Sequence, residues 1–274
     1  MKRFLIQKRD TAMMKNDYLG QEFSRLYAIL TQLRRECPWD KKQTAESLRQ
    51  YLLEEVFEVV STIDHADWSE LPKELGDLLL QIVFQSVIAE EKGYFTLREV
   101  LMLINQKMVE RHPHVFGGTK VDSADEVADN WEHIKIHKEK RPSILSGIPD
   151  NTSSLLRAQR IQEKASRVGF DWQNIEDVLG KVEEEIRELR EAINANQQAK
   201  IQAEFGDLLF SLVNFARFID VVAEDALRLA VNKFIQRFKQ IEKYYGNDYT
   251  KIKAASLTEL DQIWEKIKEH TGDG

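Results

Sequence analysis

Acidic side chains on two adjoining helical runs carry the pattern with the clearest chemical meaning in this chain. From Val182 it reads VEEEIRELREAI, and from Ala203 it reads AEFGDLLFSLVN. At about 100° per helical residue, Lys181, Glu185 and Glu188 fall within about 60° of one another, on one flank of an apolar stripe of Val182, Ile186 and Leu189. Glu184 points well away from them, towards solvent. In the following run Leu208, Leu209 and Leu212 make the core face, and Glu204, Asp207, Ser211 and Asn214 form a polar strip beside it. Two antiparallel helices of this kind present ExxE against ExxD across a shared groove. Four like charges so placed repel and raise one another's pKa unless a cation neutralises them. Oxygen ligands without histidine or cysteine suit a hard ion, Mg²⁺ with Mn²⁺ as a substitute. Mg²⁺ keeps positions for water and for phosphate oxygens, which is its usual part in nucleotide chemistry. Lys233 and Arg237, one turn apart, are candidate cations for the rest of a polyphosphate. Trp264 and Lys268, also one turn apart, offer a stacking or packing surface beside a further cation.

The same pattern occurs earlier, as LLEEVFEVVSTI from Leu52 and KELGDLLLQIVF from Lys73. Glu55, Glu58, Glu74 and Asp77 each precede Glu185, Glu188, Glu204 and Asp207 by 130 positions. Later pairs drift: Lys107 and Arg111 match Lys233 and Arg237 at 126, and Trp131 and Lys135 match Trp264 and Lys268 at 133. Small changes of offset at loops are what one helical unit used twice produces. An isolated EExxE is ordinarily a solvated face. The same ExxE, sixteen positions on, ExxD in both halves is harder to explain that way. Gly76 and Gly206 sit inside strong helical patterns, where close helix packing beside the acidic groove would account for them. His112 and His114, in RHPHVFGG, read as capping or packing groups at a helix end, Thr44 as a helix N-cap, and Cys37 as structural.

These residues need helices to position them, and the chain is rich in helical pattern. Five prolines and twelve glycines are few for this length, and no proline follows Pro149. Apolar residues recurring every three or four positions predict helices near 17–35, 44–64, 68–92, 96–111, 123–140, 152–167, 174–194, 198–221, 224–245 and 256–270. The expectation is an all-α protein: an N-terminal extension at 1–16, a first helical domain over 17–140, a linker at 141–152 (RPSILSGIPDNT), and a second helical domain over 153–274.

Composition narrows the function class. The 274 residues carry 39 basic and 46 acidic side chains, a net charge of −7, which disfavours direct nucleic-acid binding. One cysteine allows no internal disulfide and points to a reducing compartment. The longest apolar stretch, Leu78 to Ala89, is broken by Gln81 and Gln85, so no membrane span is expected. Met1 to Asp10 is too charged for a secretory signal. A soluble cytoplasmic protein is the resulting expectation.

The runs CPWDKKQT, LLEEVFEV, KELGDLLLQIVF, RHPHVFGG, AQRIQEKASRVGFDW and AEFGDLLFSLVN together resemble the MazG family, nucleoside triphosphate pyrophosphohydrolases of the all-α NTP pyrophosphatase superfamily. The resemblance covers about Leu30 to Lys268. It implies hydrolysis of NTPs or dNTPs between the α and β phosphates, giving a nucleoside monophosphate and pyrophosphate. It also implies a homodimer whose four-helix cores are completed across subunits. By the same resemblance Glu185, Glu188, Glu204 and Asp207 hold Mg²⁺, with Glu55, Glu58, Glu74 and Asp77 as the first-copy set. Glu185 or Glu188 would activate the water, and Lys181, Glu184, Lys233, Arg237, Trp264 and Lys268 would contact nucleotide. The copies differ: Lys181 and Asn214 are matched by Tyr51 and Phe84, which makes the C-terminal copy the expected catalytic one. Val231 departs from the family pattern, which has asparagine two positions before the lysine. The competing readings are a narrow dUTP or dCTP pyrophosphatase and a non-catalytic nucleotide-sensing or interaction protein. A ferritin-like di-iron site is disfavoured by the absence of Glu-x-x-His.

Overall fold

A computed structural model describes residues 2–121, 123, 126–127, 130–131, 134 and 142–271. Most of the helix expected near 123–140, with Lys135, lies outside the described residues, as does Arg141 of the expected linker. All described regular elements are helical, as the sequence requires, and no described helix is long and apolar enough to cross a membrane. The chain forms two compact units, Met1–Ala124 and Asp125–Gly274.

The first unit contains α1 (Lys2–Glu36), α2 (Arg49–Asp64), α3 (Leu71–Glu91), α4 (Leu97–Arg111) and the short α5 (Pro113–Phe116). α1 is continuous from Lys2, so helix begins well before the expected position near 17. α3 packs against α1, α2 and α4. Leu30, Leu48, Val83, Phe84, Val87, Ile88 and Leu97 form the core, with Tyr51 and Leu80 packed against it. Arg34 ties the loop between α1 and α2 to α3: its guanidinium binds Glu91 at 2.6 Å and the carbonyls of Gln43, at 3.1 Å, and of Asp40. Thr44 caps the turn preceding α2 rather than α2 itself, its Oγ1 accepting from the Ser47 N–H at 3.1 Å. His112 closes α4, with Nδ1 2.6 Å from the Met108 carbonyl, and its ring packs 5.6 Å from His114.

The second unit contains α6 (Ser154–Ser166), α7 (Ile175–Asn194), α8 (Gln198–Phe218), α9 (Ala223–Tyr244), the short α10 (Tyr249–Ala254) and α11 (Leu257–Thr271). The stretch expected as a linker is tied to α6: Lys164 Nζ donates to the Ile144 carbonyl at 3.0 Å, and Arg157 pairs with Asp150 at 2.7 Å. Asn174 caps α7 by accepting from the Asp177 N–H at 3.0 Å, and Glu176 and Asp177 complement the helix dipole there. α7 and α8 form a helical hairpin that turns through Asn196 in the left-handed region, as α2 and α3 turn through Ala66 at the matching position.

Two packing expectations are corrected here. The buried row of α7 is Val178, Val182, Glu185 and Ala192, whereas Ile186 is exposed together with Leu179 and Ile193. On α8, Leu209 and Leu212 are exposed as well. The chain thus carries a second apolar face that its own helices leave open. At Gly76 and Gly206, an added Cβ would meet nothing within 4 Å, so close packing inside the chain does not explain them.

Candidate functional site

α7 supplies Glu185 and Glu188 one turn apart, and α8 returns antiparallel to bring Glu204 opposite them. The three carboxylates each offer an oxygen, all within 4.8 Å of one another. Glu185 is 4% exposed and stands within the buried row of α7, where periodicity alone would place an apolar side chain. Its Oε1 receives the Lys181 ammonium at 2.8 Å, while its Oε2 is buried with no hydrogen-bond partner. Lys181 also reaches Glu184 at 3.1 Å, so Glu184 joins the site through the lysine. The bond to Glu185, then that to Glu184, raises the Lys181 pKa, which keeps the ammonium charged.

Glu204 is pushed above the ordinary carboxylate range, first by burial and then by the charge of Glu188, with Glu185 and Asp207 adding to it and Lys200 opposing. Asp207 is exposed and lies outside the three-carboxylate set, although its charge is felt at Glu204. Three acidic groups around a buried, unpartnered oxygen are unfavourable without a cation. The donors are all hard oxygens, so the set fits a hard divalent ion.

A stability prediction follows with a definite sign. A carboxyl whose folded-state pKa is raised adds stability in acid, and that stability is lost as pH rises through its folded value. Without metal at neutral pH the ionised Glu204 therefore strains the site. Glu204→Gln is expected to raise the thermal midpoint of the metal-free protein at pH 7. The gap should close once the pH is lowered to about 4, below the ordinary glutamate range, because the raised carboxyl of the parent is already protonated there. Differential scanning calorimetry in chelator at both pH values measures this, and a lower midpoint for the variant at pH 7 would contradict it.

The first unit brings Glu55, Glu58 and Glu74 within the same 4.8 Å span. Burial and the charges of Asp77 and Glu58 raise Glu55, and burial followed by Glu58 raises Glu74. Asp77 is exposed like Asp207. Tyr51 holds the place of Lys181 here, and the buried Gln81 hydrogen-bonds to Glu55.

The remaining expected residues gather on α9 and α11. Arg237 is buried, with its guanidinium 5.6 Å from the centre of the Trp264 ring. Phe234 packs on the same ring at 5.2 Å. Lys268 pairs with Glu265 at 2.6 Å, while Lys233 is exposed.

Sequence reasoning missed a cavity of 580 Å³ beside the carboxylates, lined by α6, α7, α8 and the loop between α6 and α7. Lys181 lines it and is bonded to Glu185, so the cavity adjoins the acidic set. Gln162 is its least expected member. The signal was present: Gln159 and Gln162 lie on the same face of α6 as Leu155, Ala158 and Ala165, where two glutamines interrupt an otherwise apolar row.

The pattern of the MazG nucleotide pyrophosphohydrolase domain matches residues 43–116 and 173–241, once in each unit. A nucleoside triphosphate pyrophosphohydrolase/pyrophosphatase MazG of Thermotoga maritima is 44% identical over 253 residues, covering 91% of this chain and 96% of that protein. A nucleoside triphosphate pyrophosphohydrolase of Escherichia coli K12 is 38% identical over 262 residues, covering 92% of this chain and 99% of its own. A crystal structure of a mazG-related protein from Thermotoga maritima covers 43% of this chain and 99% of its own, with 26% identity and a TM-score of 0.38.

Proposed function

The chain belongs to the MazG nucleotide pyrophosphohydrolase family, and from that premise we propose that it is a Mg²⁺-dependent nucleoside triphosphate pyrophosphohydrolase. It cleaves NTPs and dNTPs between the α and β phosphates, releasing a monophosphate and pyrophosphate, and it does so in the second unit. The observation that carries this reading is the buried, unpartnered Oε2 of Glu185 beside Glu188 and Glu204. Proteins named nucleoside triphosphate pyrophosphohydrolase at 44% and 38% identity support the reaction class.

Glu185, Glu188 and Glu204, with Asp207 at the rim, would hold the ion. When bound, Mg²⁺ neutralises phosphate charge and polarises the phosphoryl oxygens. Lys181 holds Glu185 Oε1, which commits that oxygen and leaves Glu188, the less buried carboxylate of the α7 pair, to orient and deprotonate the attacking water. Lys233 and Arg237, the latter lying against the Trp264 ring, stabilise negative charge on the departing pyrophosphate. The exposed apolar rows of α7 and α8 support a homodimer that covers them.

The test is product analysis. Purified protein with Mg²⁺ and each of the eight common NTPs and dNTPs is expected to yield monophosphate plus pyrophosphate on anion-exchange chromatography. Diphosphate plus orthophosphate would mean that another bond is cut. Turnover of dUTP or dCTP alone would narrow the enzyme to one base, and binding without product would favour nucleotide sensing.

A further inference from the structure

The cavity beside the carboxylates has walls whose hydrogen-bonding sense is fixed by the protein itself. Gln162 is 8% exposed, and its Nε2 donates to the Phe210 carbonyl at 2.8 Å. That bond settles which end of the amide is which, because a carbonyl accepts only from the NH₂. Its Oε1 is left buried and without a partner. Asn214 also lines the cavity, and its Oδ1 accepts from Arg217 Nε at 3.2 Å and Nη2 at 3.0 Å, so the Asn214 NH₂ is left to donate. Arg217 is itself held by Asp171, with Nη1 donating to Oδ2 at 2.9 Å and Nη2 to Oδ1. Phe170 and Trp172, from the same loop as Asp171, supply aromatic wall. A buried acceptor with nothing to accept from carries a desolvation cost that a ligand bringing a donor would relieve.

We propose that this cavity holds the nucleoside half of the substrate, with Gln162 Oε1 accepting an N–H of the base and the Asn214 NH₂ donating to a base acceptor. This rests on the hydrolase reading above and adds its nucleoside-recognising residues. The volume of 580 Å³ suits a nucleoside, since small-ligand sites run from about 300 to 1,000 Å³. The position suits it too, because Lys181 is shared between the cavity wall and Glu185, so base and triphosphate are met by adjoining surfaces. Each common base carries an N–H, either an exocyclic amine or a ring imide. Gln162 therefore favours a nucleoside over bare polyphosphate without dictating one base.

The first unit supplies an internal contrast. At the positions matching Lys181, Phe210, Asn214 and Arg217 it carries Tyr51, Leu80, Phe84 and Val87. Phe84 and Val87 are buried core, and Tyr51 and Leu80 pack against that core. The space that is open in the second unit, and that carries a few polar groups on an apolar wall, is filled with apolar side chains in the first. The first acidic set accordingly lacks the nucleoside pocket.

Isothermal titration calorimetry in Mg²⁺ with inorganic tripolyphosphate and with α,β-methylene analogues of ATP, GTP, CTP and UTP tests the proposal. In the parent protein at least one analogue is expected to bind about tenfold or more tighter than tripolyphosphate. Gln162→Met is expected to weaken that analogue about tenfold and to leave tripolyphosphate within about twofold. Asn214→Phe, which carries the first unit's side chain into the second, is expected to reduce the analogue to the level of tripolyphosphate. Circular dichroism establishes that each variant folds. Analogues binding no tighter than tripolyphosphate, or variants weakening both ligands alike, overturn the subsite while leaving the hydrolase reading in place. No binding by any of the ligands, together with no turnover, overturns both.

Discussion

Replacing Glu185 by glutamine is expected to lower pyrophosphate release at least about a thousandfold while leaving the helix content unchanged. The substitution keeps size and removes charge from the carboxylate whose Oε2 is buried without a partner. It also breaks the charge pairing with Lys181 at 2.8 Å and leaves that ammonium beside Glu184. An amide brings an NH₂ into a site of acceptors, so it is a poorer ligand for a hard cation as well as an uncharged one. The first-unit counterpart, Glu55→Gln, should leave turnover within about twofold, because the core occupies the position of the nucleoside cavity there. Asp207→Asn falls between them, since Asp207 is exposed and stands outside the three-carboxylate set. Steady-state release of pyrophosphate measures all three. Near-parental turnover in Glu185→Gln would sink the metal assignment, and equal losses in Glu55→Gln and Glu185→Gln would sink the assignment to one unit.

The carboxylate set was legible in the sequence because its determinants are local. Glu185 and Glu188 are one turn apart, and the 130-residue offset shows the same constellation twice. Helix positions were legible for the same reason, since capping and 3.6-residue periodicity are properties of short stretches. What the sequence hid was whatever depends on which elements meet. The cavity draws Gln162 from α6, Asp171 from a loop, Lys181 from α7 and Asn214 from α8, and no spacing rule links those positions. Burial on α7 was misjudged for a different reason. Val182, Ile186 and Leu189 look like one stripe at four- and three-residue steps. The structure splits them, because the row through Val178, Val182, Glu185 and Ala192 packs inward and the row through Ile186 does not. A wheel shows that a helix has apolar sides but not which neighbour covers each of them.

That uncovered side leads to the second large effect. Leu179, Ile186 and Ile193 recur every seven residues along α7, and Phe205, Leu209 and Leu212 recur at four and three along α8, all exposed in the single chain. Helices leave so much apolar surface open chiefly where another protein surface covers it. The occupant we expect is a second copy, because α7 and α8 are already paired with each other and a like pair would complete a four-helix core. Leu212→Asp is expected to convert a species of twice 32.0 kDa into one of 32.0 kDa on light scattering. A two-fold interface would bury the new charge twice, and each buried, unpaired carboxylate costs several kcal/mol or about 1,000-fold in association. Tyr249→Asp, on the exposed short helix α10, is the control and should leave the mass unchanged. The carboxylates sit on the same two helices, so dissociation should also lower turnover by loosening the geometry between Glu188 and Glu204. A parent protein that scatters as a single chain would refute the dimer and leave the apolar rows without their expected cover. A dimer that survives Leu212→Asp would move the interface to another face.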